Sequence, residues 1–168
     1  MRARVLTALV GIPVFLGFLF AGGLAWLTFL AVLIIIAGYE MGRFYERLGY
    51  SNCGPWIVAG GLIILLAAYT SDGNAPFVVP WPLVMTLIMG LALIRELLIP
   101  GHLPLQRGAA VCLGSMYVGL FAFLYMARAD SITTALTVVL ATWSADTAAF
   151  LVGRALGQTA FAPTISPN

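Results

Sequence analysis

The stretch LAWLTFLAVLIIIAGY, residues 24–39, contains sixteen consecutive residues without a charge. A similar run precedes it at residues 5–21, and the pair Gly22-Gly23 separates the two. A helix needs about 17–25 apolar residues to cross the roughly 30 Å hydrocarbon core of a bilayer, so each run is only just long enough. We expect two short membrane spans joined by a minimal turn. The alternative is a single bent or re-entrant element.

The whole chain has the composition of a membrane protein. Hydrophobic residues make up 62% of its 168 residues, charged residues make up 8%, and the mean hydropathy is +1.05. A soluble domain is about 45–50% apolar. The sequence therefore predicts an all-α fold, a polytopic transmembrane helical bundle that forms a single domain over residues 1–168. About six spanning helices are expected, at residues 5–21, 24–39, 56–70, 83–99, 108–127 and 131–152.

Composition also argues against several other classes. Cys53 and Cys112 lie in different segments without partners at metal-ligand spacing, so neither a disulfide framework nor a zinc site is expected. The net charge of +2 is too small to indicate a nucleic-acid partner. The opening Met-Arg-Ala-Arg resembles the start of a signal peptide, but no convincing small-x-small cleavage site follows the apolar run, and more spans come after it. We therefore expect a retained first helix.

The positions of the basic residues predict the orientation. All eight are arginines, and cytoplasmic loops of membrane proteins are enriched in basic residues. If the N-terminus lies in the cytoplasm, only Arg128 falls on the outer side. The other seven fall on the cytoplasmic side: Arg2, Arg4, Arg43, Arg47, Arg95, Arg107 and Arg154. The pattern predicts a multi-pass protein with a cytoplasmic N-terminus.

Polar segments between the spans have ordinary structural interpretations. Charged residues from Glu40 to Arg47 follow a helical spacing, so the second span is expected to continue beyond the membrane surface. The proline-rich residues 76–82 should form a rigid connection that is not helical. Arg128 and Asp130 are expected in a short turn before the last span.

Three further polar residues are expected at the membrane surface. Arg95 lies in the final turns of the fourth span, from which a long side chain can reach the headgroups. His102 and Arg107 follow in the next loop. A lone histidine without a neighbouring nucleophile is poor evidence for catalysis, so a surface role is preferred.

Asp146 is the exception, because it interrupts the apolar run of the last span. A carboxylate there costs roughly 2.5–3.5 kcal/mol on insertion scales and normally faces water, a partner or an ion. Arg154 follows eight residues later, so Asp146 would be recessed by about 12 Å in a pocket open to the cytoplasm. Thr142, one turn earlier, could bond the carboxylate or a ligand. Such groups suit Mg²⁺ carrying phosphates, whereas the simpler interpretation is a bond to a neighbouring helix.

Three motifs near the end of the chain are the most specific: WSADTAAF at residues 143–150, GRALG at 153–157 and APTISP at 162–167. Two more, RVLTAL at residues 4–9 and Glu40-x-x-Arg43, lie in its first part. Together these five stretches resemble the phosphatidate cytidylyltransferase family, also called CDP-diglyceride synthetases, and the first-part motifs are similar to the family's N-terminal part. The resemblance thus spans essentially the whole chain. Members of the family continue beyond the Ser-Pro motif, so we expect this chain to be an N-terminal portion.

The resemblance implies an enzyme that converts CTP and phosphatidate to CDP-diacylglycerol and pyrophosphate with Mg²⁺. It implies that Asp146 is the catalytic metal ligand and that Thr147, Arg154 and Ser166 contact phosphate or nucleotide. The implied partners are CTP, phosphatidate and membrane lipid, without nucleic acid. A homodimer is left open, and the 168-residue chain alone is expected to be inactive if further spans complete the site.

A transporter or scaffolding subunit is the competing hypothesis. In such a protein Asp146 would relay a proton or bond a neighbouring helix. A transporter of this kind should show corresponding broken helices in two related halves. Inspection of the sequence reveals no such internal repeat.

Overall fold

The structure, a computed structural model, describes residues 2–73, 75–99 and 104–156, and within these ranges it is helical with no strand. The helices are α1 (Arg2–Ala21), α2 (Gly23–Arg47), α3 (Gly54–Ser71), α4 (Trp81–Leu98), α5 (Pro104–Gly119), α6 (Phe121–Asp130) and α7 (Ile132–Leu156). The expected all-α bundle is confirmed.

Among the described residues, five apolar helical segments are long enough to cross a membrane. They are α2, α3, α4, α7 and the combined stretch Pro104–Asp130, in which α5 and α6 follow one another. The first segment is shorter, with an apolar part at Leu9–Ala21. Several apolar helices of this kind make the chain a multi-pass membrane protein.

The chain breaks at Gly22 between α1 and α2, where the sequence predicted a minimal turn. The ring centroids of Phe15 and Trp26 lie 5.4 Å apart, and those of Phe18 and Phe29 lie 4.7 Å apart. Eleven residues of straight helix would span about 16 Å, so these contacts show that the chain bends sharply at Gly22. The bend is also held by α6, because Arg128 donates a hydrogen bond from Nε to the carbonyl oxygen of Leu19 at 2.8 Å.

Helix α3 is the centre of the bundle and packs against α2, α4, α5 and α6. Small residues allow α3 and α5 to approach closely. A Cβ added to Gly60 of α3 would lie 2.2 Å from the Oγ of Ser115 on α5, so only glycine fits there. Ile57, Val118 and the Ser115 side chain are fully or almost fully buried beside this crossing.

The second span does continue as a helix through Arg47, as expected. Two other expectations about connections are wrong in detail. Residues 76–82 are only partly non-helical, because α4 begins at Trp81 and includes Pro82 in its first turn. Proline is tolerated there because the N–H it lacks would have no partner within the helix.

Arg128 and Asp130 do not form a turn but end helix α6. The break comes one residue later at Ser131, whose backbone is extended. The Oγ of Ser131 accepts a hydrogen bond from the backbone N–H of Thr134 at 2.9 Å, which caps the start of α7. A second break, at Leu120, divides the expected fifth span between α5 and α6.

Candidate functional site

Helix α7 carries the candidate site on a part that the rest of the described chain does not cover. Its buried residues, Ala135 and Val139, both lie in its first half. Throughout residues 140–155 every side chain is exposed except that of Trp143, which is half-buried. The Trp143 ring lies 5.8 Å from the ring of Phe15 on α1. The second half of α7 therefore presents nearly its whole circumference to lipid, water or other protein.

Asp146 and Thr147 are adjacent on this exposed part and point to different sides of the helix. Successive residues of an α-helix are rotated by about 100°. The Thr147 hydroxyl donates a hydrogen bond to the carbonyl oxygen of Trp143 at 2.8 Å and lines a shallow hollow of about 400 Å³ on α7. Asp146 is exposed beside it.

Thr142 does not bond Asp146, because its hydroxyl proton is donated to the carbonyl oxygen of Val138 at 2.8 Å. Its oxygen lone pairs remain available to a ligand. Arg154 lies in the last turn of α7, eight residues and about 12 Å along the axis from Asp146. Ser166, the fourth predicted site residue, lies outside the described residues.

The residues present can supply part of a Mg²⁺ site. Mg²⁺ is usually held by one or two carboxylates together with substrate phosphates and water. Asp146 offers one exposed carboxylate. The described ranges contain no group of three or more His, Cys, Asp or Glu side chains that could hold a metal by themselves. A Mg²⁺ ion at Asp146 would need its other ligands from outside the described residues.

A second polar site, which the sequence interpretation missed, lies where α4 ends and α5 begins. Arg95 does not reach out to the headgroups: its side chain is fully buried. Arg107 is not in a loop but in the first turn of α5, and it is also buried. Both guanidinium groups bind the carboxylate of Glu96, which lies between them.

The hydrogen bonds of this charged cluster (Arg95, Glu96 and Arg107) connect three parts of the chain. Arg95 donates from Nη1 to Glu96 and from Nη2 to the carbonyl oxygen of Ser51, in the connection between α2 and α3. Arg107 donates from Nη2 to Glu96 Oε2 at 2.5 Å. The Nε atoms of both arginines are buried, and no described residue accepts a hydrogen bond from them.

Cys53 lies next to the cluster at the start of α3 and is fully buried. Its thiol contacts the carbonyl oxygen of Tyr50 at 3.4 Å. Burial raises the pKa of the Cys53 thiol. The nearby charges have smaller effects on this pKa: that of Arg95 lowers it and that of Glu96 raises it. Cys53 is therefore a protonated, structural cysteine at neutral pH.

The order of the helices gathers the arginines at one end of the bundle. Helices α2 and α4 end there, and α3 and α5 begin there, which brings Arg47 and the charged cluster to the same face. Helix α7 carries Arg154 in its last turn. Arg128 lies near the end of α6, at the opposite face. Arg47 and the charged cluster are therefore separated from Arg128 by the length of the bundle.

Comparison with known proteins agrees with the resemblance. The model of the cytidylyltransferase family matches residues 2–168. The phosphatidate cytidylyltransferase of Staphylococcus aureus (strain COL) is 31% identical over 176 residues, covering 100% of this chain and 64% of that protein. The protein of the same name from Staphylococcus saprophyticus is 32% identical over 170 residues, with the same coverage of 100% and 64%.

The chain therefore spans 64% of the length of these curated relatives. No solved structure matches it significantly. Because the family model covers every residue from 2 to 168, the match does not depend on a single motif. The chain belongs to the cytidylyltransferase family.

Proposed function

We propose that this chain takes part in the transfer of a cytidylyl group from CTP to phosphatidate, which yields CDP-diacylglycerol and pyrophosphate. The observation that carries the proposal is the family match over residues 2–168, together with relatives that are named for this reaction. The multi-pass fold supports it, because one substrate and one product are membrane lipids.

The reaction depends more on the stabilisation of negative charge than on proton transfer. A phosphate oxygen of phosphatidate forms a bond to the α-phosphorus of CTP, and the bond from that phosphorus to the oxygen bridging to the β-phosphate breaks. The attacking oxygen is already deprotonated at neutral pH, so no strong general base is needed. The barrier comes from bringing anions together and from charge on the departing pyrophosphate.

The exposed half of α7 offers groups of the required kinds. Asp146 would hold Mg²⁺, which when bound offsets the negative charge of the triphosphate. Arg154 would bind a phosphate as a cation, and Thr147 would offer its hydroxyl oxygen to nucleotide or phosphate. Ser166 is proposed as a further contact on the basis of the family resemblance alone.

The arginine-rich end of the bundle would face the cytoplasm, where CTP is dissolved. Arg154 would lie at that end, with Asp146 about 12 Å deeper along α7. Phosphatidate would enter laterally from the same leaflet. We further propose that the N-terminus lies in the cytoplasm and that the protein lies in a bacterial inner membrane. A homodimer remains a prediction.

The direct test is an assay with purified protein in lipid nanodiscs that contain phosphatidate. Labelled CTP and Mg²⁺ are added, and both CDP-diacylglycerol and pyrophosphate are measured. The 168-residue chain is assayed beside any longer form that its gene encodes. We expect product that depends on phosphatidate and disappears with EDTA. Absence of product from every form would contradict the proposal and favour a transport or scaffolding role.

A further inference from the structure

A polar cavity of about 220 Å³ lies at the face of the bundle opposite to the charged cluster. Three helix ends enclose it: the start of α2 with Gly23 and Trp26, the C-cap of α3 at Asp72, and the last turn of α6 with Arg128. Its described lining includes no residue of α7, so the cavity is separate from the candidate site at Asp146. The proposed transfer reaction does not use it.

The guanidinium group of Arg128 is held in place where it lines the cavity. Its Nε donates a hydrogen bond to the carbonyl oxygen of Leu19 at 2.8 Å. Gly22 makes room for the group, because a Cβ added there would lie 2.8 Å from Nη2 of Arg128. Since a guanidinium has five N–H donors, an arginine held through Nε can still bind an anion through its Nη atoms.

A carboxylate lines the same cavity from a different helix end. Asp72 is exposed and follows the last residue of α3. It also lines an adjoining cavity of about 230 Å³, together with Asp130 at the end of α6. The cavity that contains Arg128 thus passes at Asp72 into a more acidic one.

Two helix ends strengthen this separation of charge. Helix α2 begins at Gly23, which lines the cavity, and no side chain caps its first turn, so the positive end of its dipole lies there. Helix α3 ends at Ser71, so the negative end of its dipole lies beside Asp72. The cavity therefore has a positive side, formed by α2 and Arg128, and a negative side at Asp72.

Trp26 adds a hydrogen-bond donor that the described residues leave without an acceptor. Its side chain is buried and lines the cavity, and no described residue accepts a hydrogen bond from its Nε1. The rings of Phe15 and Phe29 hold the indole, with centroids 5.4 Å and 5.7 Å from that of Trp26. A buried tryptophan N–H usually has a partner, and one without an acceptor is unfavourable. A ligand oxygen at the positive side of the cavity would supply that acceptor.

We propose that this cavity binds a small zwitterion, with its anionic group against Arg128 and Trp26 and its ammonium group against Asp72. A simple anion would meet the carboxylate of Asp72, and a simple cation would meet Arg128. A ligand that carries both charges matches both sides. The cavity is smaller than the range of about 300–1,000 Å³ that is typical of drug-sized ligands, so the ligand is no larger than an amino acid or a lipid headgroup.

Two sources can provide this chemistry. The helices that line the cavity belong to membrane-spanning segments, and their ends lie near the level of the lipid headgroups. The ethanolamine headgroup carries an ammonium group and a phosphodiester, which makes it one source. A dissolved zwitterion such as an amino acid is the other. Neither is a substrate or product of the proposed transfer, so the cavity would be a second site with a separate role.

Binding of a soluble headgroup tests the charge pattern. The full chain in phosphatidylglycerol nanodiscs, whose lipid has no ammonium group, is titrated by calorimetry with glycerophosphoethanolamine and, separately, with glycine. Dimethyl phosphate carries only the anionic group, and ethanolamine carries only the cationic group. We expect at least one zwitterion to bind about tenfold more tightly than either fragment. Equally tight binding of dimethyl phosphate, or no saturable binding of either zwitterion, would overturn the proposal.

Competition by lipid identifies the source. Nanodiscs that also contain phosphatidylethanolamine should block binding of the soluble zwitterion if the natural ligand is a headgroup, because a lipid in the same bilayer has a high effective concentration. Phosphatidylcholine is the control, since its quaternary ammonium has no N–H to donate to Asp72. Unchanged binding in the phosphatidylethanolamine nanodiscs would identify a dissolved zwitterion as the ligand.

Asp72→Asn tests the ammonium contact at an exposed position. It should weaken binding of the zwitterion roughly tenfold without weakening that of dimethyl phosphate. Glu46→Gln, at an exposed acid of the opposite face, is the matched control and should change neither. Equal effects of the two variants would contradict the assignment of Asp72.

Trp26→Phe tests the anion contact, because it removes the N–H and keeps an aromatic ring. It should weaken binding of both the zwitterion and dimethyl phosphate, whereas Trp56→Phe, outside the lining of the cavity, should weaken neither. Thermal unfolding checks that each variant folds. If a variant fails to fold, the comparison of the zwitterions with their fragments on the unchanged chain still decides.

Discussion

Arg95 near the end of α4 donates a hydrogen bond from its guanidinium group to the carbonyl oxygen of Ser51, 44 residues earlier in the chain. The side chain is fully buried and also binds Glu96. It thereby fixes the end of α4 to the connection between α2 and α3. An arginine that was expected at the headgroups is thus part of the interior.

Replacing Arg95 with methionine should destabilise the bundle strongly. The change leaves Glu96 with one arginine partner and the Ser51 carbonyl without its donor. Loss of one partner from a buried ion pair typically costs about 3–5 kcal/mol. Unfolding by a denaturing detergent measures the difference. Arg47→Met, at an exposed arginine, should change stability by less than about 0.5 kcal/mol, and equal effects would contradict the prediction.

Gly42→Ala should also destabilise the fold, because α2 and α3 meet there backbone to backbone. A Cβ on Gly42 would lie 2.4 Å from the Cα of Gly54. Neither atom can move without a shift of a whole helix, and overpacking typically costs about 1–3 kcal/mol. Gly90→Ala is the control because its Cβ meets open space. A lower melting temperature for Gly42→Ala alone is the expected outcome.

Asp146→Asn should abolish cytidylyl transfer without affecting the fold. Because the side chain is exposed, the change should alter stability by less than about 0.5 kcal/mol. Removal of a group that stabilises transition-state charge typically lowers kcat by about 10²–10³-fold. Product formation is compared with that of Asp130→Asn, an exposed acid at the end of α6. Normal turnover by Asp146→Asn would refute the assigned role.

Cys53 should react slowly with alkylating reagents at neutral pH. Burial raises its pKa, so less reactive thiolate is present at a given pH than for a free cysteine. In a Cys112→Ala background, Cys53 is the only cysteine. Its alkylation rate should rise with pH and begin to level off only above the pKa of a free thiol. The same chain unfolded in detergent provides the reference rate, and identical pH profiles would contradict the prediction.

The orientation of the protein in the membrane can be determined with single cysteines placed at opposite faces of the bundle. Arg47→Cys and Pro76→Cys, both at exposed positions, are introduced into a chain lacking Cys53 and Cys112. A membrane-impermeant maleimide should label Pro76→Cys on intact cells and Arg47→Cys only after permeabilisation. The reverse pattern would show that the arginine-rich end faces outward.

Much of the fold could be predicted because each span is a local property of the chain. A run of apolar residues such as 24–39 is helical in a bilayer whatever its neighbours are, since backbone groups must be bonded within the segment. The family resemblance likewise depends on local motifs such as residues 143–150. The sequence thus determined the helical class, the asymmetry of the arginines and the candidate role of Asp146.

Only the tertiary structure decided which sides of the helices face inward. Lipid and protein interior are both apolar, so hydrophobic periodicity does not distinguish them in a membrane protein. That is why Arg95 and Arg107 could not be assigned to the interior from their positions in the chain. Their burial depends on α4 and α5 meeting at Glu96 beside Ser51, and contacts across such distances form only when the bundle assembles.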